Sequence, residues 1–143
     1  MNLSKYEMAE TSVLHLVDAG DEPMYADLPD GSGPDLTRPM RAHVFGPGSK
    51  QYARALNNRQ NHNVDLLKRK GKTKETAEEA QRETANFLAA CTDHLENVES
   101  ESGATGRALH LEIYTNLKLS FIPTQIGVFI NETSNFTKGS ATS

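Results

Sequence analysis

The chain has 143 residues, 36% of them hydrophobic and 6% aromatic, with no Trp and a net charge of -4. That length suits one domain with a lean core, and the acidic balance argues against a general nucleic-acid binder. With a mean hydropathy of -0.59 and no apolar run near the roughly 18 residues that span a bilayer, no membrane contact is expected.

Met1 to Glu10 lacks an apolar stretch, so no secretory signal is expected. Cys91 is the lone cysteine, which excludes an intramolecular disulfide and points to a reducing compartment. The sequons Asn131-Glu132-Thr133 and Asn135-Phe136-Thr137 carry no meaning there.

Ser12 to Val17 is a short apolar, β-branched run bounded by the turn-rich Asp18 to Pro23, and Met24 to Ala26 is a weaker run. Asp27 to Pro39 holds three prolines, two glycines and three aspartates, which predicts a loop. Arg41 to Phe45 alternates polar and apolar residues and can pair with the first run, giving a small antiparallel sheet that leans on helices.

Gly46-Pro47-Gly48-Ser49-Lys50 follows a strand and precedes a helix, the setting of a phosphate loop. Yet the order of Ser and Lys is reversed from what such a loop needs, and Pro47 removes an N–H that would face the phosphate. A strand-to-helix joint explains each residue: the glycines turn the chain and Ser49 caps a helix.

That helix is predicted over Lys50 to Lys70, with Tyr52, Leu56, Leu66 and Leu67 near one face and Arg59 and Asn63 interrupting it. Lys68-Arg69-Lys70-Gly71 ends it, cations complementing the dipole before a glycine stop. Thr73 is the expected cap of a second helix with Glu75, Glu78 and Glu79 in its early turns. Its stripe of Ala77, Ala80, Thr84, Phe87, Leu88, Cys91, Leu95 and Val98 steps by three and four until Glu99 to Gly103 breaks it.

A third helix is predicted over Ala108 to Tyr114, with Leu109 and Ile113 on one face. A fourth begins near Ser120 or Phe121, Pro123 falling in its first turn. Its face is Phe121, Ile122, Ile126, Phe129 and Ile130, and a small polar tail follows from Thr137. The expected fold class is α+β: an N-terminal antiparallel sheet of two to three short strands, then a bundle of about four helices. The expectation is one domain over residues 1–143, β-rich over 12–46 and helical over 49–136, with a disordered tail at 137–143.

Chemistry-bearing clusters are few. Cys91 and His94 stand three apart on the predicted helix, but zinc wants three or four ligands, so Cys91 reads as core. His15 and His43 are placed to face each other across the sheet, as surface residues. Lys68 to Lys74 packs five cations into seven residues, without aromatics to stack on bases; it reads first as a solvated hairpin between helices, with an acidic protein surface as the functional alternative. No catalytic, cofactor-binding or metal-binding residue is expected. The face of the last helix is expected to bury against the second helix; the functional alternative gives partner contact to Phe129, Ile130 and Phe136, which stand before a polar tail, and to Lys68, Arg69 and Lys70.

The segments "LHLVD", "FGPGSKQY", "LKRKGKT", "ANFLAACT" and "FIPTQIGVFINETSNFTKGS", in this order, resemble tail assembly chaperones of long-tailed phages and their prophages. The resemblance runs from about Val13 to Ser140. It is carried by Gly46, Pro47, Gly48, Ser49, Lys50, Tyr52, Lys70, Gly71, Lys72, Asn86, Phe87, Phe121, Ile122, Asn135 and Phe136. It implies a protein that is not an enzyme and uses no cofactor. Such a protein coats the long hydrophobic tape measure protein in the host cytoplasm, helps recruit the major tail protein, self-associates, and leaves before the virion is mature. In many such phages a frameshift adds a longer form. The alternatives are a virion subunit for tail completion or head–tail joining, and a small nucleic-acid-binding regulator built on Lys68 to Lys74.

Overall fold

A computed structural model describes residues 3–70 and 76–137, apart from the side chains of residues 69 and 70, and shows an α+β fold. Alternation makes the central strand. In β4 (Arg41–Phe45), Ala42 and Val44 are fully buried while Arg41, His43 and Phe45 point the other way. β1 (Thr11–His15) pairs with it antiparallel, Thr11 opposite Phe45 and His15 opposite Arg41. Between them in sequence, β2 (Tyr25–Asp27) and β3 (Pro34–Pro39) form a separate two-stranded hairpin.

β3 corrects the expectation of an uninterrupted loop over Asp27 to Pro39. Its prolines stand at the two ends of the strand, where a missing N–H interrupts nothing. Gly31, with φ at +74°, turns the hairpin, and Asp30 braces it by accepting from Ser32 N.

The joint is built as a cap. Ser49 Oγ donates to Gly46 O at 2.7 Å and accepts from Tyr52 N at 3.1 Å, opening α1 (Lys50–Lys70). α2 (Ala77–Ala90) starts at Thr76, whose hydroxyl caps the helix by accepting from Glu79 N and also donates to Glu79 Oε1. Thr73, the expected cap, lies outside the described residues.

The second correction is larger. The helix expected to reach Val98 stops at Ala90, with Cys91 as its cap, and β5 (Thr92–Glu96) follows at once. β5 pairs with the free edge of β4, His43 opposite His94 and Ala42 opposite Leu95, with a bulge next to Val44. The sheet order is therefore β1-β4-β5. Ladder hydrogen bonds to an otherwise open edge outweigh a few tenths of a kcal/mol per residue of helix propensity.

α3 (Gly106–Tyr114) and α4 (Phe121–Asn131) fall close to their predicted spans. α2 is the common neighbour, touching α1, α3 and α4. One cluster joins sheet and helices, running from Leu16, Ala42 and Val44 through Leu88 and Ile126 to Phe136. No helix among the described residues is long and apolar enough to cross a membrane.

Candidate functional site

α1 carries two stripes. The inner one, Tyr52, Ala55, Arg59, His62 and Leu66, steps by three and four; Ala55 and Leu66 are buried and the other three half-buried. It meets α2 through polar as well as apolar contacts. The Arg59 guanidinium lies 4.4 Å from the Phe87 ring centroid, and Nη2 donates to Thr84 Oγ1 at 3.4 Å. Tyr52 meets the same ring edge-on at 5.7 Å, and His62 Nδ1 stands 3.7 Å from Glu83 Oε2. So Arg59, expected to interrupt the seam, belongs to it.

The outer stripe is Ala53, Leu56, Gln60, Val64 and Leu67, all exposed. Leu56 is 38% exposed, Val64 48% and Leu67 49%. Leu56 and Leu67 therefore do not share a buried face with Tyr52 and Leu66, a correction to the expected single seam. The helical period sets the two groups about 120° apart around the axis.

On the other flank of α1, a groove of about 440 Å³ opens between α1, α2 and the start of α3. Gln51, Arg54 and Asn58 form one wall, Glu83 and Asn86 the second, and Arg107 the end. Ala55, Phe87 and Ala90 make the floor. Within the described residues, Gln51, Arg54, Asn58, Asn86 and Arg107 make no hydrogen bond or ion pair through their side chains.

The residues assigned to partner contact separate. Phe136 and Ile130 are 0% and 1% exposed, and Phe129 is half-buried against Phe136 with ring centroids 5.8 Å apart. The 3-10 turn Thr133–Phe136 folds back onto the chain start, where Ala9 N donates to Phe136 O at 2.6 Å. Ile130 and Phe136 thus belong to the chain's own core, the internal burial expected of this face, while Phe129 keeps part of its surface open. Lys68 is exposed near the end of α1. The side chains of Arg69 and Lys70, and residues 71–75, lie outside what is described, as does the tail from Lys138.

The histidine arrangement also differs from expectation. His15 faces Arg41 across the ladder rather than His43, and its Nε2 lies 2.9 Å from Met24 O. His43 instead stacks on His94, centroids 4.0 Å apart and planes 15° apart, with Nε2 at 2.7 Å from Glu96 Oε1. That contact, assisted by Arg41, holds the Glu96 carboxyl below its usual range. Cys91 and His94 share no helix face, because the helix has ended. Cys91 is fully buried, and burial pushes its thiol up to about 11, with Arg59 offsetting part of the rise.

No family model, curated protein or solved structure matches this chain. Its own geometry and sequence pattern carry the functional reading.

Proposed function

We propose that this chain is a tail assembly chaperone of the kind found in long-tailed phages, which holds an amphipathic helical segment of the tape measure protein and helps bring in the major tail protein. The observation that carries this reading is the outer stripe of α1. Ala53, Leu56, Val64 and Leu67 lie along one side of a 21-residue helix and are exposed. The spacing is that of a helix–helix seam, about 20 Å long at 1.5 Å per residue. A lone exposed leucine is ordinary, but three large apolar side chains in register on one helix suit a second helix laid alongside. The exposed Lys68 at the end of the stripe adds a cation for an acidic partner surface.

Co-expression with the tape measure protein tests it. Leu56→Asp with Leu67→Asp replaces exposed residues, so circular dichroism should be unchanged while the tape measure protein passes into the insoluble fraction. A tape measure protein that stays soluble with this variant would sink the reading. Mass spectrometry of purified virions should find the chain absent; its retention would make it a structural subunit instead.

A further inference from the structure

We propose that the groove between α1, α2 and the start of α3 is a binding site for carboxylates of an acidic polypeptide segment, distinct from the apolar stripe of α1. Helical spacing separates the two. Gln51, Arg54 and Asn58 step by three and four on the flank of α1 turned away from Leu56, Val64 and Leu67.

The chemistry of the walls selects the ligand. Arg54 and Arg107 come from different helices and both reach the groove, yet neither forms an ion pair among the described residues. The one carboxylate lining the groove, Glu83, is turned to His62 at 3.7 Å. Two free guanidiniums with a shared opening present forked N–H donors, the geometry that matches carboxylates two at a time. The helix that carries Arg54 reinforces the sign: α1 holds Lys50, Arg54, Arg59, Lys68, Arg69 and Lys70 against Asp65 alone, in a chain of net charge -4.

The carboxamides make the ligand a polypeptide rather than a free anion. Gln51, Asn58 and Asn86 each offer a donor and an acceptor, and peptide groups use both. A small inorganic anion carries no peptide group, so it would draw on the amide N–H donors and leave the side-chain carbonyl oxygens without a ligand partner. Asn86 is half-buried and makes no side-chain hydrogen bond among the described residues, so its amide is open to the peptide groups of a ligand. Beneath them Ala55, Phe87 and Ala90 give an apolar floor for the aliphatic stems of Glu side chains. The groove's volume, about 440 Å³, lies within the range of ligand clefts, about 300–1,000 Å³.

Fluorescence anisotropy on the purified chain provides the test, with a labelled peptide of Glu-Ala-Leu-Glu repeats and a second in which Gln replaces every Glu. The Glu peptide should bind at least about tenfold tighter than the Gln peptide. Arg54→Gln and Arg107→Gln should each weaken it about tenfold, with the circular dichroism spectrum unchanged because both side chains are exposed. Asn86→Asp, which keeps the shape and adds a negative charge, should also weaken it. Leu56→Asp should leave this binding intact, so failure of the tape measure reading and failure of the groove are separately visible. Equal binding of the two peptides, an affinity unmoved by both Arg substitutions, or no binding to the wild type would overturn the proposal. Displacement of the peptide by inorganic phosphate at lower concentration than by free glutamate would overturn it too, and would make the groove a phosphate site.

Discussion

Phe136 and Gly46 pack against each other, although 90 positions separate them in the chain. A β-carbon added at Gly46 would clash with Cδ1, Cε1 and Cγ of the Phe136 ring. Gly46→Ala should therefore cost about 1–3 kcal/mol by overpacking, and Phe136→Ala about 3–5 kcal/mol by leaving a cavity. The double variant should lose clearly less than the sum, since the added methyl then fills part of the hole. Urea denaturation of the four proteins measures this, and strict additivity would show that the two positions do not touch. The cap at Ser49 and the core role of Cys91 were legible from local pattern, because each depends on neighbours within a turn or two of chain. The reason for Gly46 was not, because the ring it accommodates arrives from the last turn of the fold. Two titrating groups give a pH prediction at the same scale. Burial lowers the His110 pKa from 6.5, helped by Arg107 and His94 and opposed by Asp93. The unfolded chain therefore takes up that proton first, so stability present above pH 6.5 is lost as pH falls through 6.5 toward the folded value. Glu96, also lowered, adds its loss only as pH falls below 4.5. Thermal midpoints taken from about pH 8 to about pH 5 should decline in the first window, and His110→Phe should flatten that decline. A parallel curve for the variant would assign the decline to other groups.

Among the elements, β5 is the instructive one. Leu95 and Val98 fall at helical spacing after Cys91, so the apolar period alone carries the helix past its end. What stops it is β4, which needs a partner on its second edge, and a single-sequence pattern cannot register that demand. Thr92 marks the change of direction: its Oγ1 donates to Leu88 O at 2.8 Å and lies 2.7 Å from Tyr114 Oη, tying the end of α2 to α3. The start of α2 tests the same account. Thr76→Ala removes one hydroxyl that both accepts from Glu79 N and donates to its carboxylate, and should cost about 1 kcal/mol. Denaturant titration reads the loss, and an unchanged midpoint would mean that α2 is capped elsewhere. The candidate groove was the least legible element of all. Gln51, Arg54, Asn58 and Arg107 look like an ordinary solvated face until the hairpin of α1 and α2 brings α3 beside them. Phe87 was legible as part of the apolar stripe of the second helix, whereas Asn86 came forward only through the family resemblance.

For the molecule as a whole, the question is whether sheet and helices stand or fall together, and Gln125 is the residue that decides it. Its side chain reaches from α4 to the chain just beyond β1, accepting from Val17 N at 2.9 Å and donating to Val17 O at 2.8 Å. The same amide nitrogen donates to Phe121 O at 3.0 Å. One carboxamide thus satisfies both backbone groups of a residue that has left the ladder with β4, where unpaired groups would be expensive. Behind it the core is continuous, since Leu16, Val44, Leu88 and Ile126 belong to one buried cluster. Sheet and helices should therefore unfold in one transition. Gln125→Leu keeps the bulk of the side chain and leaves the N–H and C=O of Val17 half-buried without those partners, a loss of about 1–3 kcal/mol. Far-ultraviolet circular dichroism follows the helices, and amide exchange at Ala42 and Val44 follows the sheet. Both should shift by the same free energy in the variant. A sheet that loosens while the helices keep their midpoint would mean two units held by a contact, and the core of this chain would have to be redrawn as two.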